Sequence, residues 1–268
     1  MNQPELDLLK LGGSLITDKD RSHTARPAVL ARLADEIAAA RAQRPGLRLI
    51  VGHGSGSFGH MAARKYATRQ GVHTPAGWLG FAEVWREARA LNEVVLEALL
   101  AAGLPVIAFP PSAAVVSSAG QVLRWDLAPI QSALQAGLLP LINGDVIFDD
   151  QLGGTILSTE DLFLHLARQL APRRVLLAGQ EAGVWADFPA CTRLIERITS
   201  GNFTTIRQQI GGSASVDVTG GMQQKVESML SLVEEIPGLE TLIFSGATAG
   251  TLQAALLGAR PGTTLTIK

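Results

Sequence analysis

Leu47-Arg48-Leu49-Ile50-Val51-Gly52-His53-Gly54-Ser55-Gly56-Ser57-Phe58-Gly59-His60 decides how the rest of this chain is read. Leu47 to Val51 is an apolar run of strand length, and it passes directly into a glycine-rich turn. A strand apolar at consecutive positions is buried on both faces, as in parallel sheets covered by helices. Gly54, Gly56 and Gly59 satisfy G-x-G-x-x-G ahead of a helical stretch. Glycine there lets backbone N–H groups approach an anion, and a helix N-terminus favours negative charge. The same spacing also serves a plainer purpose, a tight strand-to-helix turn kept small for packing.

Two nucleotide fingerprints do not fit. A dinucleotide-binding turn lies on the first βα connection, with an acid about 20 residues on at the end of the next strand. Here the motif follows the second strand, and the first acid beyond it, Glu83, falls in a helical stretch. The phosphate-loop pattern G-x-x-x-x-G-K-[ST] is absent from the sequence.

Working outward, short apolar runs alternate with amphipathic stretches. Strands are expected at 6–11, 47–51, 104–109, 138–142, 174–178, 239–244 and 263–267. Helices are expected at 27–44, 78–102, 127–136, 159–171, 221–235 and 248–257, the first with Pro27 in its opening turn. Residues 115–125 and 146–157 read as β-hairpins, and 179–218 as mostly loop. This alternation predicts an α/β fold, a doubly wound and mainly parallel sheet, in 268 residues with a soft lobe division near 172.

Composition narrows the function. The chain is 47% hydrophobic and 18% charged, enough for a sizeable core. Its 23 Lys+Arg against 24 Asp+Glu leave no basic footprint for nucleic acid. Cys191 is the only cysteine, which excludes an intrachain disulfide and favours a reducing compartment. The opening Met1 to Lys10 does not read as a secretory signal, and no apolar run reaches membrane-helix length. A cytoplasmic protein without membrane or nucleic-acid partners is expected.

Three lysines add positive charge to the glycine turns. Lys10 ends the first strand and precedes Gly12-Gly13-Ser14; Lys19 lies five residues beyond Ser14. Far along the chain, Asp217-Val218-Thr219-Gly220-Gly221 leads into a helix with Lys225 one turn inside. In an open α/β sheet such loops meet at the carboxyl ends of the strands. Converging lysines and glycine amides there make a polyphosphate clamp, the arrangement phosphoryl transfer needs.

These segments, with Asn143-Gly144-Asp145 and Ser158-Thr159-Glu160-Asp161, stand in the order found in the amino acid kinase family, which the chain resembles along nearly its whole length. His53 to His60 is similar to the signature of isopentenyl phosphate kinases, with His60 as its distinguishing end. The resemblance implies a three-layer αβα sandwich forming a single domain over 1–268. The acceptor-phosphate lobe would be 1–172, with β-hairpins, and the ATP-binding lobe 173–268. It implies transfer from ATP, with Mg2+, to a small phosphate acceptor. Lys10, Gly12, Gly13, Ser14, Ser55, Gly220, Gly221 and Lys225 would bind ATP. Gly54, Ser55, Gly59, His60, Asp145 and Gly154 would hold the acceptor. His60, Lys10, Lys19, Asp161 and Lys225 would carry catalysis, with Asp161 orienting Lys10 and Lys225. No protein metal site is implied, and a homodimer is expected.

Two positions depart from the family pattern: Gly54-Ser55-Gly56 replaces three glycines, and Ala178-Gly179-Gln180-Glu181 replaces the usual Thr-Asp before Gly183-Val184. Trp78, Phe81, Val84 and Trp85 form an apolar stripe that reads mostly as core. The rival readings are a fosfomycin-type or carboxylate kinase on the same fold, and a nucleotide-sensing domain without turnover.

Overall fold

The structure is a computed structural model that describes residues 5–210 and 221–267, with the backbone alone for His60 and Met61. The chain begins with β1 (Leu6–Leu11), α1 (Gly13–Ile16), α2 (Pro27–Gln43), β2 (Arg48–His53), α3 (His60–Lys65) and α4 (Pro75–Ala101). There follow β3 (Val106–Ala108), β4 (Val115–Ser118), β5 (Gln121–Trp125), α5 (Ala128–Gln135), β6 (Leu139–Asn143), β7 (Asp145–Asp149) and β8 (Gly153–Leu157). After α6 (Thr159–Leu170) and β9 (Arg174–Gly179) come the short β10 (Val184–Trp185), β11 (Leu194–Ile195) and β12 (Arg197–Ile198). The chain closes with α7 (Ser200–Ile210), α8 (Gly221–Glu235), β13 (Glu240–Ser245), α9 (Thr251–Leu256) and β14 (Thr263–Leu265).

Eight strands form the central sheet in the order β12-β14-β13-β9-β1-β2-β6-β3. All neighbours are parallel except β13 and β14. Both faces are covered, which is why the strands are apolar at consecutive positions. Leu9, Leu11, Leu49, Val51, Leu176 and Ala178 face the core under α2, α4 and α9. Leu6, Leu8, Ile50, Val175 and Leu177 face the opposite core, which contains Leu162, Phe163 and Leu166 of α6 and Val226, Met229 and Leu230 of α8. The three-layer sandwich with a mainly parallel sheet is therefore present. β4, β5, β7 and β8 form a separate four-stranded sheet, including both expected hairpins.

Sheet order places β1 between β2 and β9, and the connection after β1 runs to α2 on one face while that after β9 runs to α7 and α8 on the other. Loops diverge at such a switch point and open a crevice beyond the carboxyl ends of the strands. The stretch expected to be loop holds an unexpected helix, α7. Ser200, Gly201, Asn202, Thr204 and Thr205 are weak helix formers, yet Phe203, Ile206 and Ile210 pack in the core with α8, and that burial overrides propensity.

Candidate active site

The crevice at the switch point is a cleft of about 940 Å3. Its lining brings together Lys10, Gly12, Gly13, Ser14, Lys19, Gly54, Ser55, Gly59, Asp145, Gly221 and Lys225, segments far apart in sequence.

Close backbone packing assembles it. A Cβ on Gly13 would lie 2.3 Å from the Gly56 nitrogen, so the loops after β1 and β2 touch main chain to main chain. A Cβ on Gly52 would lie 2.6 Å from Thr159 Cγ2 and 2.9 Å from the Phe163 ring. The start of α6 therefore sits directly on β2, and Thr159 Oγ1 donates to the His53 carbonyl at 2.6 Å. Lys10 pairs with Gly52 in the β1–β2 register and shares the sheet face of Leu6 and Leu8. That face meets α6, and Lys10 Nζ donates to Glu160 Oε1 at 2.6 Å.

Lys225 Nζ lies 3.9 Å from the same oxygen. Both lysines, one from each end of the sequence, thus share one carboxylate. Burial by itself would raise the Glu160 carboxyl, but the charges of Lys10 and Lys225 outweigh it and hold the group below the ordinary glutamate range.

This corrects the assignment of Asp161. Its Oδ2 accepts from the Ser158 amide and hydroxyl, both at 2.8 Å, while its own amide donates to Ser158 Oγ at 3.1 Å. The pair is a complete capping box, and the same oxygen pairs with Arg69 at 3.1 Å. Asp161 therefore shapes the start of α6, and Glu160 holds the lysines. Ser158 three residues ahead of an acid was the signal that reserved Asp161 for capping.

The amides of the glycine loop also divide unexpectedly. Gly54 N–H donates to the Leu11 carbonyl at 3.0 Å, and Gly59 N–H donates to Glu87 Oε2 at 2.6 Å. Neither is available to a phosphate, contrary to expectation. Ser55 N–H has no acceptor among the described residues and lines the cleft. Gly13 and Ser14 open α1, where first-turn amides lack helical acceptors. The amides left open toward the cleft are thus those of Gly13, Ser14 and Ser55.

His60 begins α3 immediately after Gly59, whose φ of 77° turns the chain into the helix. Its side chain lies outside the described residues, as do Asp217 and Gly220. Asp145 sits at the cleft edge, nearly buried, and accepts from the amides of Ser112 at 3.1 Å and Val146 at 2.9 Å. Burial is the largest influence on it and raises its carboxyl above the ordinary value. Gly154 is misplaced in the expectation: it packs under Phe81 and Trp78, and Ile156 and Leu157 of the same strand line the cleft instead. Val84, Ala63 and Ala88 add apolar wall there, while Ile130 belongs to the opposite core.

Behind the loop, His53 is fully buried between Asn92 Oδ1, 3.0 Å from Nε2, and the Gly54 carbonyl, 3.2 Å from Nδ1. Burial lowers its pKa, so the imidazole is neutral support and adds no charge to the site. On the far side of the cleft Gln180 Nε2 donates to the Ser14 carbonyl at 2.6 Å, and Trp185 Nε1 donates to Glu181 at 3.0 Å. The residues that depart from the family pattern thus form this wall, with Phe188 beside them.

A lysine pair on a shared carboxylate, facing glycine amides at a sheet switch point, defines a phosphoryl-transfer site. The amino acid kinase family matches residues 7–245, and the chain belongs to that family. Within it, the chain is similar to isopentenyl phosphate kinases. It is 35% identical to the enzyme of Methanothermobacter thermautotrophicus over 94% of this chain and 95% of that protein. It is 36% identical to that of Haloferax volcanii over 97% and 98%, respectively. A crystal structure of isopentenyl phosphate kinase superposes with a TM-score of 0.81 at 32% identity, covering 97% of this chain and all of that one.

Proposed function

We propose that this chain transfers the γ-phosphoryl group of ATP to isopentenyl phosphate, giving isopentenyl diphosphate and ADP. The observation that carries the reading is the shared carboxylate of Lys10 and Lys225 facing a glycine loop, with apolar wall from Ala63, Val84, Ala88 and Ile156 in the same cleft. The similarity to isopentenyl phosphate kinases supplies the acceptor.

A phosphate monoester has a second pKa of about 6 and is mostly dianionic at neutral pH, so the acceptor needs no general base. Catalysis then rests on bringing two anions together. Lys10, Lys225 and the amides of Gly13 and Ser14 hold the ATP phosphates. Lys19, on the loop between α1 and α2, reaches the transferring group. Ser55 N–H and His60 at the head of α3 receive the acceptor phosphate, on the side built from residues before 172. Glu160 keeps the lysines extended toward the phosphates until ATP arrives, when they gain phosphate partners. Among the described residues no group of three or more His, Cys, Asp or Glu is arranged to hold an ion. Mg2+ would enter on the ATP phosphates with water, which suits a cation that rarely uses an all-protein cage.

No helix among the described residues is long and apolar enough to cross a membrane. The proposed setting is the cytoplasm, with the enzyme as a homodimer using helices and hairpins of the first lobe, where Trp78, Leu79 and Phe148 are exposed.

A coupled ADP-release assay across isopentenyl phosphate, dimethylallyl phosphate, fosfomycin and N-acetylglutamate tests the proposal. Turnover with an isoprenoid phosphate is expected to dominate. Its absence, or preference for fosfomycin, would sink the acceptor assignment; ATP binding without any turnover would favour a sensing domain.

A further inference from the structure

Glu87 is a nearly buried carboxylate on α4, outside every motif recognised in the sequence. It faces two loops at once. Oε2 accepts the Gly59 N–H at 2.6 Å, at the entry to α3 and next to His60. Oε1 lies 3.0 Å from His23 Nε2. His23 belongs to the loop that carries Lys19, which Asp18 N–H closes by donating to the Thr24 carbonyl at 2.8 Å.

The rest of His23 is held as firmly. Its Nδ1 lies 2.8 Å from Ser22 Oγ, and its ring meets Phe58 edge-on with centroids 5.5 Å apart. Its amide donates to the Ser57 carbonyl at 3.3 Å, and the next amide, Thr24, donates to Ser57 Oγ at 3.3 Å. His23 keeps φ at 52°, a left-handed conformation that a non-glycine residue holds only where contacts impose it. A carboxylate taken out of water needs hydrogen-bond partners, and the Gly59 amide and the His23 ring both lie within reach of Glu87.

We infer that Glu87 and His23 form a latch that fixes the Lys19 loop against the acceptor-phosphate loop, making both of them positioning residues for phosphoryl transfer. The inference rests on reading the cleft as a kinase site with Lys19 at the transferring group. One carboxylate then sets two distances together: the glycine turn that begins α3, and the loop whose lysine must reach the moving phosphoryl. A misplacement of about 1 Å at such a group costs on the order of a hundredfold in rate.

Trypsin provides a readout independent of activity, since Lys19 and Arg21 are cleavage points inside the latched loop. Cleavage of the full chain at these bonds is followed by mass spectrometry, beside melting temperature, kcat, and KM for ATP and isopentenyl phosphate. His23→Ala and Glu87→Ala are expected to speed cleavage about fivefold or more and to lower kcat about tenfold, with KM for ATP nearly unchanged. The double variant should be little worse than either single one. His23→Gln, whose side-chain amide can donate where Nε2 stands, should recover most of both losses. If Glu87→Ala does not fold, His23→Ala carries the test, because that side chain is half exposed. Unchanged cleavage, faster cleavage with unchanged kcat, or His23→Gln as impaired as His23→Ala would each overturn the latch. Should the wild type turn over neither isoprenoid phosphate, the acceptor assignment fails, and should it turn over no acceptor at all, the kinase reading fails; the cleavage comparison still decides whether the two loops are tied.

Discussion

Replacing Glu160 by glutamine removes the one charge that Lys10 and Lys225 share while leaving the volume of the side chain intact. The carboxylate stands 2.6 Å from one ammonium and 3.9 Å from the other, and the side chains of Lys10 and Glu160 are only 10% and 19% exposed. At an effective dielectric of about 20 these contacts are worth roughly 6 and 4 kcal/mol before desolvation is counted. Desolvation cancels most of that sum; stripping one partner from a fully buried pair costs about 3–5 kcal/mol, and the partial exposure here brings the loss to about 2–3 kcal/mol. For a chain of this size that is a fall of roughly 5–10 °C in melting temperature. ATP brings its own negative charge to the two lysines, so the loss should shrink in its presence. The variant will therefore show a larger ATP-induced rise in melting temperature than the wild type, while kcat falls on the order of tenfold to a hundredfold through misplaced lysines. The comparison is Asp161→Asn, which loses part of a capping box, costs about 1 kcal/mol, and leaves kcat within a few-fold. Melting curves with and without ATP, run beside the ADP-release assay, separate the two. Equal destabilisation with and without ATP, or a greater kcat loss in Asp161→Asn, would refute the assignment of Glu160. The pH dependence has a definite sign. The folded Glu160 carboxyl is held below its unfolded value of about 4.3, so its stabilisation is present above that pH and fades as pH falls through the lower folded value.

Three further outcomes follow from the geometry. Gly13→Ala drives a methyl to within 2.3 Å of the Gly56 nitrogen, so the two phosphate loops must part; ATP affinity by calorimetry should drop at least tenfold, with a stability loss of about 2–4 kcal/mol in denaturant unfolding. Asp145 titrates above its unfolded value because it is buried, so the stability it contributes is full below about pH 3.9 and declines as pH rises through the folded value. Against Asp145→Asn, wild-type stability measured by urea unfolding should therefore fall as pH is raised from about 3.9 through the folded pKa and level off above it. His60→Ala should keep the circular dichroism and melting temperature of the wild type and lose about a hundredfold or more in kcat/KM for the acceptor, and a near wild-type value would remove His60 from the acceptor site.

Much of the architecture is legible in local pattern. Apolar runs of strand length, the helical spacing of Leu30, Leu33 and Ile37, and Gly12-Gly13 after Lys10 all depend on neighbours within a few residues. The match is close at β1 and α8, whose bounds are those expected, and at α6, where Ser158 caps the helix. It failed at α7, whose opening turn is polar and small and whose helicity comes from packing on α8. Within the site, Lys10, Lys225 and the glycine loops were readable because each sits at the end of a strand or the start of a helix. The partners of these groups were not.

What the sequence by itself determined is the set of turns able to approach an anion and the lysines able to neutralise it, because glycine and lysine carry those capacities wherever they stand. Which carboxylate serves the lysines was decided only in three dimensions. Glu160 and Asp161 are adjacent on α6, about 100° apart around its axis. The seating of that helix on Gly52 turns Glu160 toward Lys10 and leaves Asp161 to the cap and Arg69. The same holds for the glycine amides. Gly59 N–H is taken by Glu87, 28 residues along the chain, because α4 crosses beneath the loop, and no local spacing records that crossing.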